Sequence, residues 1–287
     1  MLKYDHLKGK ELFKFLVENK KALINHKKSL PVKWADNFSH SPVIKFKTKS
    51  GAIKDGISTD TEDPTDTSVL RVEVIANTCL WMDSQSDVLL IDSAKRSIQN
   101  NKSLMVHIHD HKYSVEAKIG EVVNVELRMM NWRDLGVAIP GQTQCIVFIT
   151  DVMEDYNTKV FNQYKAGKIQ QHSIGLCYLS GGIELAINDP DYEKEIDFWN
   201  KYIDQIGNKD EAIAQGYFWV VSEFKLLENS CVLFGANILT PTLSTGGKGH
   251  SSNGTHKDGD EPDEDDSPEE DTDCQTPLEM SALLNIF

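Results

Sequence analysis

The sequence predicts an α+β fold in which a mainly antiparallel β-barrel or sandwich is surrounded by helices. From residue 69 onward, most apolar stretches are short runs rich in valine, isoleucine, threonine and aromatic residues, which is typical of strands. A few helix-like segments separate these runs, without the regular strand–helix alternation of a parallel α/β fold. The chain has 287 residues, which is enough to bury a large core.

Each predicted element follows from a local pattern. Runs with strand composition predict strands over 70–82, 104–109, 118–130, 143–153, 171–178, 183–187 and 217–234, the last as one long strand or two consecutive ones. Apolar residues at helical spacing predict helices over 7–24, 92–100, 156–166 and 191–206. Gly167 follows the third of these helices, and its missing Cβ suits the left-handed position past a helix end. Pro31 is expected to stop the first helix.

Charge divides the chain into parts. The net charge of −14 comes from 30 Lys and Arg residues against 44 Asp and Glu residues. Residues 1–54 hold 13 lysines against 4 acidic residues, whereas 244–287 hold 2 lysines against 12 acidic residues. We therefore predict a lysine-rich helical segment (1–54), a linker (55–68), a folded domain (69–243) and a disordered acidic tail with a short apolar terminal peptide (244–287). The acidic middle and tail argue against a protein that coats DNA or RNA, because such proteins need a basic face.

Cysteine usage and hydropathy predict the compartment. The five cysteines are odd in number and widely spaced, and they form no C-x-x-C pair, which argues against a disulfide scaffold or a cysteine zinc site. No stretch approaches 18 apolar residues, and the first residues lack a signal-peptide core. The sequence therefore predicts a soluble protein in a reducing, cytoplasmic compartment.

The first candidate site is a run of histidines at alternate positions, His107, His109 and His111. On a strand, alternate residues point to the same side, so the three imidazoles would lie together. Three histidines can bind zinc and leave one position open for a reactive water, as in a zinc hydrolase. One of them could instead act as a general base, or all three could be solvated at the end of a strand.

The second candidate site is the segment 167–176, in which Ser173 is followed by Ile174 and Gly175. A serine nucleophile needs an imidazole to accept its proton, a third group to orient that imidazole, and backbone N–H donors for the oxyanion. The sequence contains candidates for each part.

Four segments, in this order, resemble the prohead (capsid-maturation) proteases of tailed bacteriophages, which are distant relatives of herpesvirus assemblin. Residues 82–90 resemble the family segment D-S-x-x-D-V-(V/L)-L, which precedes a short helix. Residues 104–110, followed by 119–122, resemble its strand ending in H-D and the later I-G-x-V. Residues 164–176 resemble G-x-(I/L)-x-x-x-S-I-G-(F/L), and residues 226–237 resemble L-x-E-x-S-x-V-x-x-x-A-N.

The resemblance implies a role for each candidate residue. Ser173 would be the nucleophile and His109 the general base, with Glu228 as the third member and Asp110 as its competitor. His107 and His111 are alternative bases, and the backbone around Ile174 and Gly175 would form the oxyanion hole. The sequence departs from the family pattern in the histidines that flank His109, in an apparent helical insertion over 191–208, and in Phe234-Gly235-Ala236, where many members carry a proline.

By the same resemblance, the chain is expected to be a serine endopeptidase that cleaves scaffolding protein, major capsid protein and itself during prohead maturation. It would need no cofactor, would act in the host cytoplasm inside the procapsid, and would bind neither specific nucleic acid nor membrane. A homo-oligomer is compatible with this expectation. Two alternatives stay open: a zinc-dependent hydrolase that uses His107, His109 and His111, and a non-catalytic scaffold or capsid-assembly protein on the same fold.

Overall fold

The computed structural model describes Tyr4, residues 6–29 and residues 68–246. Pro31, the predicted linker up to residue 67 and the acidic tail from residue 247 lie outside the described residues. Six α-helices are present in the described part: α1 (Gly9–Glu18), α2 (Lys20–Ser29), α3 (Lys95–Asn101), α4 (Thr158–Lys165), α5 (Glu193–Tyr202) and α6 (Lys209–Gln215). Its ten strands are β1 (Val69–Thr78), β2 (Asp87–Leu89), β3 (Val106–His109), β4 (Lys118–Asn131), β5 (Gln142–Met153), β6 (His172–Tyr178), β7 (Ile183–Ile187), β8 (Tyr217–Val221), β9 (Phe224–Cys231) and β10 (Thr242–Gly246).

The strands form two sheets, which confirms the α+β class. The larger sheet has seven strands in the order β10-β1-β5-β4-β3-β9-β6, and the smaller has the order β2-β8-β7. Neighbours are antiparallel except β3 with β9 and β2 with β8, which are parallel. Within the described residues the larger sheet ends at β10 and β6, so the predicted antiparallel barrel is corrected to an open, mixed sheet. Period-two patterning predicts that a segment is a strand, but it does not give the direction of its neighbour.

The predicted strand over 217–234 is two strands in different sheets. β8 belongs to the smaller sheet and β9 to the larger one. The chain changes sheet at Ser222 and Glu223, whose N–H groups both donate to the carbonyl of Gly182, at 2.9 and 3.3 Å. β9 is thereby placed between β3 and β6, the strands that carry the two candidate clusters. Beyond it, β10 extends to Gly246 and crosses the predicted domain boundary at residue 243.

The two N-terminal helices pack against the same core as the large sheet. Leu16 of α1 and Leu23 of α2 are buried within that core. A fully buried leucine contributes on the order of 2 kcal/mol to stability through the removal of its surface from water. None of the described helices is long and apolar enough to cross a membrane.

Two lysines of α2 pair with acidic residues of the folded domain. Lys27 Nζ lies 2.8 Å from Asp87 Oδ1, and the side chain of Asp87 is fully buried. The hydroxyl of Tyr178, at the end of β6, donates to the other oxygen of Asp87. Lys20 Nζ lies 2.7 Å from Glu184 Oε2. A buried carboxylate is tolerated because a cation and a hydroxyl satisfy it.

Candidate functional site

The register of β6 against β9 places Ser173 beside the third-member candidate. Ser173 is directly opposite Ser230, and Gly175 is directly opposite Glu228. Opposed residues in an antiparallel pair project to the same face, with Cβ atoms about 5 Å apart. Ser173 and Glu228 therefore share one face of the sheet on adjacent strands, and both residues are buried.

A tight turn after β3 brings His111 to this face. Asp110 and His111 both have positive φ angles, 53° and 50°, and the N–H of Lys112 donates to the carbonyl of His109 at 3.2 Å. Two consecutive left-handed residues closed by this bond have the features of a type I′ turn. The N–H of Asp110 donates to the carbonyl of Cys231 at 3.1 Å, which fixes the turn to the end of β9. Aspartate and histidine are among the non-glycine residues found most often in this conformation.

His111 and Glu228 form a buried pair. The Nδ1 atom of His111 lies 2.7 Å from Glu228 Oε1, and both side chains are fully buried. The backbone N–H of His111 donates to Ser230 Oγ at 3.1 Å, and that hydroxyl donates to Glu228 Oε2 at 2.8 Å. A carboxylate that accepts the Nδ1 proton fixes the imidazole tautomer and directs its Nε2 to act as the base.

The structure places His109 on the opposite face, so the expectation that it lies together with Ser173 and Glu228 is not met. In the parallel pair of β3 and β9, His109 is level with Cys231, the residue after Ser230, so it shares a face with Cys231. Its Nδ1 atom is 3.6 Å from Asp110 Oδ2, at the end of β3. The difference arises because the strand ends at His109 and the chain then turns, so His111 no longer follows the alternation.

Asp110 is placed for a different contact. Its carboxylate lies near His109 and 3.3 Å from Lys112 Nζ, and its side chain is 47% exposed. Glu228 contacts the imidazole of His111 instead, and it is fully buried. The geometry therefore favours Glu228 over Asp110 as the partner of the histidine.

The same turn separates the three histidines of the zinc alternative. His107 points to the face opposite His111, where its Nε2 atom lies 2.8 Å from the amide nitrogen of Asn229. His109 shares the side of His107, whereas His111 lies on the side of Glu228. The described residues contain no group of three or more His, Cys, Asp or Glu side chains arranged to hold a metal ion.

A second polar cluster lies directly behind the site, on the face of β3, β9 and β6 that His107 occupies. His107 Nδ1 lies 2.9 Å from Thr150 Oγ1, and the hydroxyl of Tyr164 lies 2.9 Å from His172 Nε2. His172 Nδ1 donates to the carbonyl of Thr240 at 2.8 Å, so Nε2 is the nitrogen that accepts the hydroxyl proton. The cluster is fully buried and holds His172, the residue before Ser173, in place.

The two histidines of this cluster are held neutral. Burial lowers the pKa of His172 to about 4, and burial with the charge of His172 lowers the pKa of His107 well below its usual value. The titratable groups that face them are Tyr164 and Cys231. Burial raises the pKa of Tyr164, and it raises the pKa of Cys231 to about 12, so neither supplies a negative charge at neutral pH.

Acid is expected to destabilise the fold through these histidines. Their folded pKa values lie below the unfolded value near 6.5, so the unfolded chain binds more protons between about pH 6.5 and 4, and stability falls as the pH falls through that window. His172 alone would contribute a loss of about 3 kcal/mol. Urea unfolding of wild type and His172→Gln across pH 7.5 to 4.5 tests this. A pH dependence as steep in the variant as in the wild type would contradict it.

Two side chains at the site were missed by sequence reasoning. Ser230 lies two residues after Glu228 on β9, so period-two spacing could have indicated that they share a face. Tyr113 carries no such signal, because it follows the turn at His111. A Cβ placed on Gly175 would lie 2.4 Å from both Tyr113 Oη and Glu228 Oε1, so both atoms stand over this glycine. Burial, and then the charge of Glu228, raise the pKa of Tyr113.

The predicted oxyanion segment is divided between the two faces. The side chain of Ile174 is fully buried in the core, opposite Asn229, whereas Gly175 faces Glu228. Only backbone groups of this segment can therefore serve as donors.

Comparisons of the chain with protein-family models, curated proteins and solved structures give no match.

Proposed function

We propose that the chain is a serine endopeptidase with Ser173 as nucleophile, His111 as general base and Glu228 as the carboxylate that orients the imidazole. The observation that carries the proposal is the fully buried pair of His111 and Glu228, whose Nδ1 and Oε1 atoms are 2.7 Å apart. The pair lies on the same face of the sheet as Ser173, and Glu228 is on the strand next to that of Ser173. A serine, a histidine and a carboxylate in this relation are the parts that acyl transfer needs.

In the proposed reaction, the hydroxyl oxygen of Ser173 attacks the scissile carbonyl carbon while the Nε2 atom of His111 takes the hydroxyl proton. The carboxylate of Glu228 accepts a hydrogen bond from the Nδ1–H group of His111 and stabilises the imidazolium that forms. The imidazolium then gives its proton to the leaving amine, and water hydrolyses the acyl-enzyme by the same route. Backbone N–H groups of the Ile174–Gly175 segment are the proposed donors to the oxyanion.

The biological setting is proposed on the four segments that resemble the prohead proteases. The substrates would be scaffolding protein, major capsid protein and the chain itself, inside the procapsid in the host cytoplasm. The likeness to the herpesvirus protease fold belongs to the same proposal. The segment 226–237 supports it most, because Glu228 and Ser230 of that segment both contact the histidine.

The test is Ser173→Ala. Wild-type protein is expected to form a single covalent adduct with an alkyl fluorophosphonate at Ser173 and to shorten itself on overexpression, because both events need an activated serine. The variant should form no adduct and stay full-length. Intact-mass spectrometry with peptide mapping measures both, and circular dichroism checks that the variant is folded.

Ser180→Ala provides a matched control, since Ser180 lies outside the site and contacts Lys28 at 3.0 Å. This variant should react and cleave as the wild type does. An adduct that persists in Ser173→Ala would refute the assignment of the nucleophile. A wild type that neither reacts nor cleaves would favour the non-catalytic assembly protein instead.

A further inference from the structure

The hydroxyl of Ser230 connects the two parts of the site that come from different strands. It accepts the N–H of His111 at 3.1 Å and donates to Glu228 Oε2 at 2.8 Å. Ser230 is fully buried, as is Glu228. One side chain thus contacts both the backbone of the histidine and the carboxylate that the histidine binds.

The two bonds constrain the pair in different ways. The bond to His111 N–H holds the second left-handed residue of the turn, a conformation that costs energy for a residue with a Cβ. The bond to Oε2 restricts rotation of the carboxyl group, so Oε1 stays directed at the imidazole. Without the hydroxyl, a buried N–H and a buried carboxylate oxygen would each lose a partner.

We propose that Ser230 is a positioning residue, which holds His111 and Glu228 in the relative orientation that activates Ser173. The catalytic part of this inference rests on the proposed function, but the positioning of the pair does not. Ser230 acts through its two neighbours and takes no part in the bond changes of the reaction.

Ser97 of α3 offers a matched control, because its hydroxyl contacts the strand that carries Ser230. Its hydroxyl is buried and accepts the N–H of Leu226 in β9 at 2.8 Å. Ser97→Ala and Ser230→Ala therefore each remove one hydroxyl that binds a backbone N–H near or on β9. Only Ser230→Ala also removes the bond to Glu228.

The activity readout is the kinetics of fluorophosphonate labelling. Ser230→Ala is expected to lower the maximal labelling rate by between about 10- and 100-fold, with the probe concentration for half-maximal rate unchanged, because misplacement affects the chemical step. Ser97→Ala should label at the wild-type rate. Ser230→Thr, which keeps the hydroxyl, should recover most of the lost rate.

A spectroscopic readout works without any activity. The proton between His111 Nδ1 and Glu228 should give a downfield ¹H resonance that is absent from His111→Gln. We expect this resonance to shift or broaden in Ser230→Ala and in Ser230→Cys, and to stay in place in Ser97→Ala. The cysteine variant serves if the alanine variant does not fold, since a thiol is a weaker hydrogen-bond donor of similar shape.

Three outcomes decide whether Ser230 is a positioning residue. A resonance that is unchanged in both Ser230 variants overturns the positioning role. A resonance that moves in folded Ser230 variants, in a protein that never labels, supports positioning and refutes the protease. Equal loss of labelling in Ser97→Ala and Ser230→Ala would reduce Ser230 to a structural contact and overturn the inference.

Discussion

Replacement of His111 by alanine is expected to slow fluorophosphonate labelling of Ser173 by about 10⁴-fold or more, the loss typical of a triad histidine. His109→Ala is expected to label within a few-fold of wild type. The difference follows from the turn at Asp110 and His111, which puts His111 against Glu228 and leaves His109 on the far face. Glu228→Gln should also lose most activity, because an amide cannot stabilise the imidazolium.

Labelling rates of the three variants, followed by intact mass and paired with urea unfolding, measure this directly. His109→Ala is the control, since it removes a partly exposed imidazole two residues away, whose Nδ1 atom lies 3.6 Å from Asp110 Oδ2. If His109→Ala were inactive and His111→Ala active, the base would be His109 after all, and the arrangement of the turn would be wrong.

Gly175→Ala is expected to remove most activity and to lower stability by about 1–3 kcal/mol, because the new methyl group overpacks a buried site. The new Cβ would lie 2.4 Å from Glu228 Oε1 and 2.4 Å from Tyr113 Oη, so at least one of these side chains must move. Tyr113 is more than half exposed and can swing away, whereas Glu228 is held by His111 and Ser230. Displacement of the carboxylate by about 1 Å would cost on the order of 100-fold in rate.

Tyr113→Phe separates the two contacts. Alone, it removes the tyrosine hydroxyl and should leave the labelling rate within a few-fold of wild type. In the Gly175→Ala background it should restore little, because Glu228 Oε1 still meets the new methyl group. Full recovery of the labelling rate in the double variant would mean that Tyr113, and not Glu228, transmits the effect of the methyl group.

Residue composition was sufficient to locate most strands. The predicted strands over 118–130 and 143–153 correspond to β4 and β5 within a few residues, because both segments are rich in β-branched residues. β2 was missed, since three residues are too short to show a period. The helical segment expected over 7–24 is interrupted at Asn19 and forms two helices.

The sequence pattern indicated the orientation of candidate site residues inside strands better than that of a residue in a turn. Ser173 and Glu228 lie inside strands, where spacing gives the face, and the structure places them on the same one. His111 lies in a turn, where two positive φ angles reverse the direction of the chain, and no periodicity carries over such a turn. The pairing of β3 with β9 joins segments far apart in sequence, so its direction depends on the tertiary fold.

In the folded structure, lysines of the two N-terminal helices contact acidic residues that lie far away in the sequence. Three lysines of the described N-terminal helices pair with acidic residues of the folded domain: Lys10 lies 2.9 Å from Asp191, Lys20 binds Glu184, and Lys27 contacts buried Asp87. Asp87 is shared with Tyr178 at the end of the strand that begins beside Ser173. Three ion pairs therefore join the two N-terminal helices to acidic residues of the core. A fragment that begins at residue 69 would lack Lys27, the cation that binds Asp87. The buried carboxylate of Asp87 would then lose this charge next to Tyr178, on the strand that carries the proposed nucleophile.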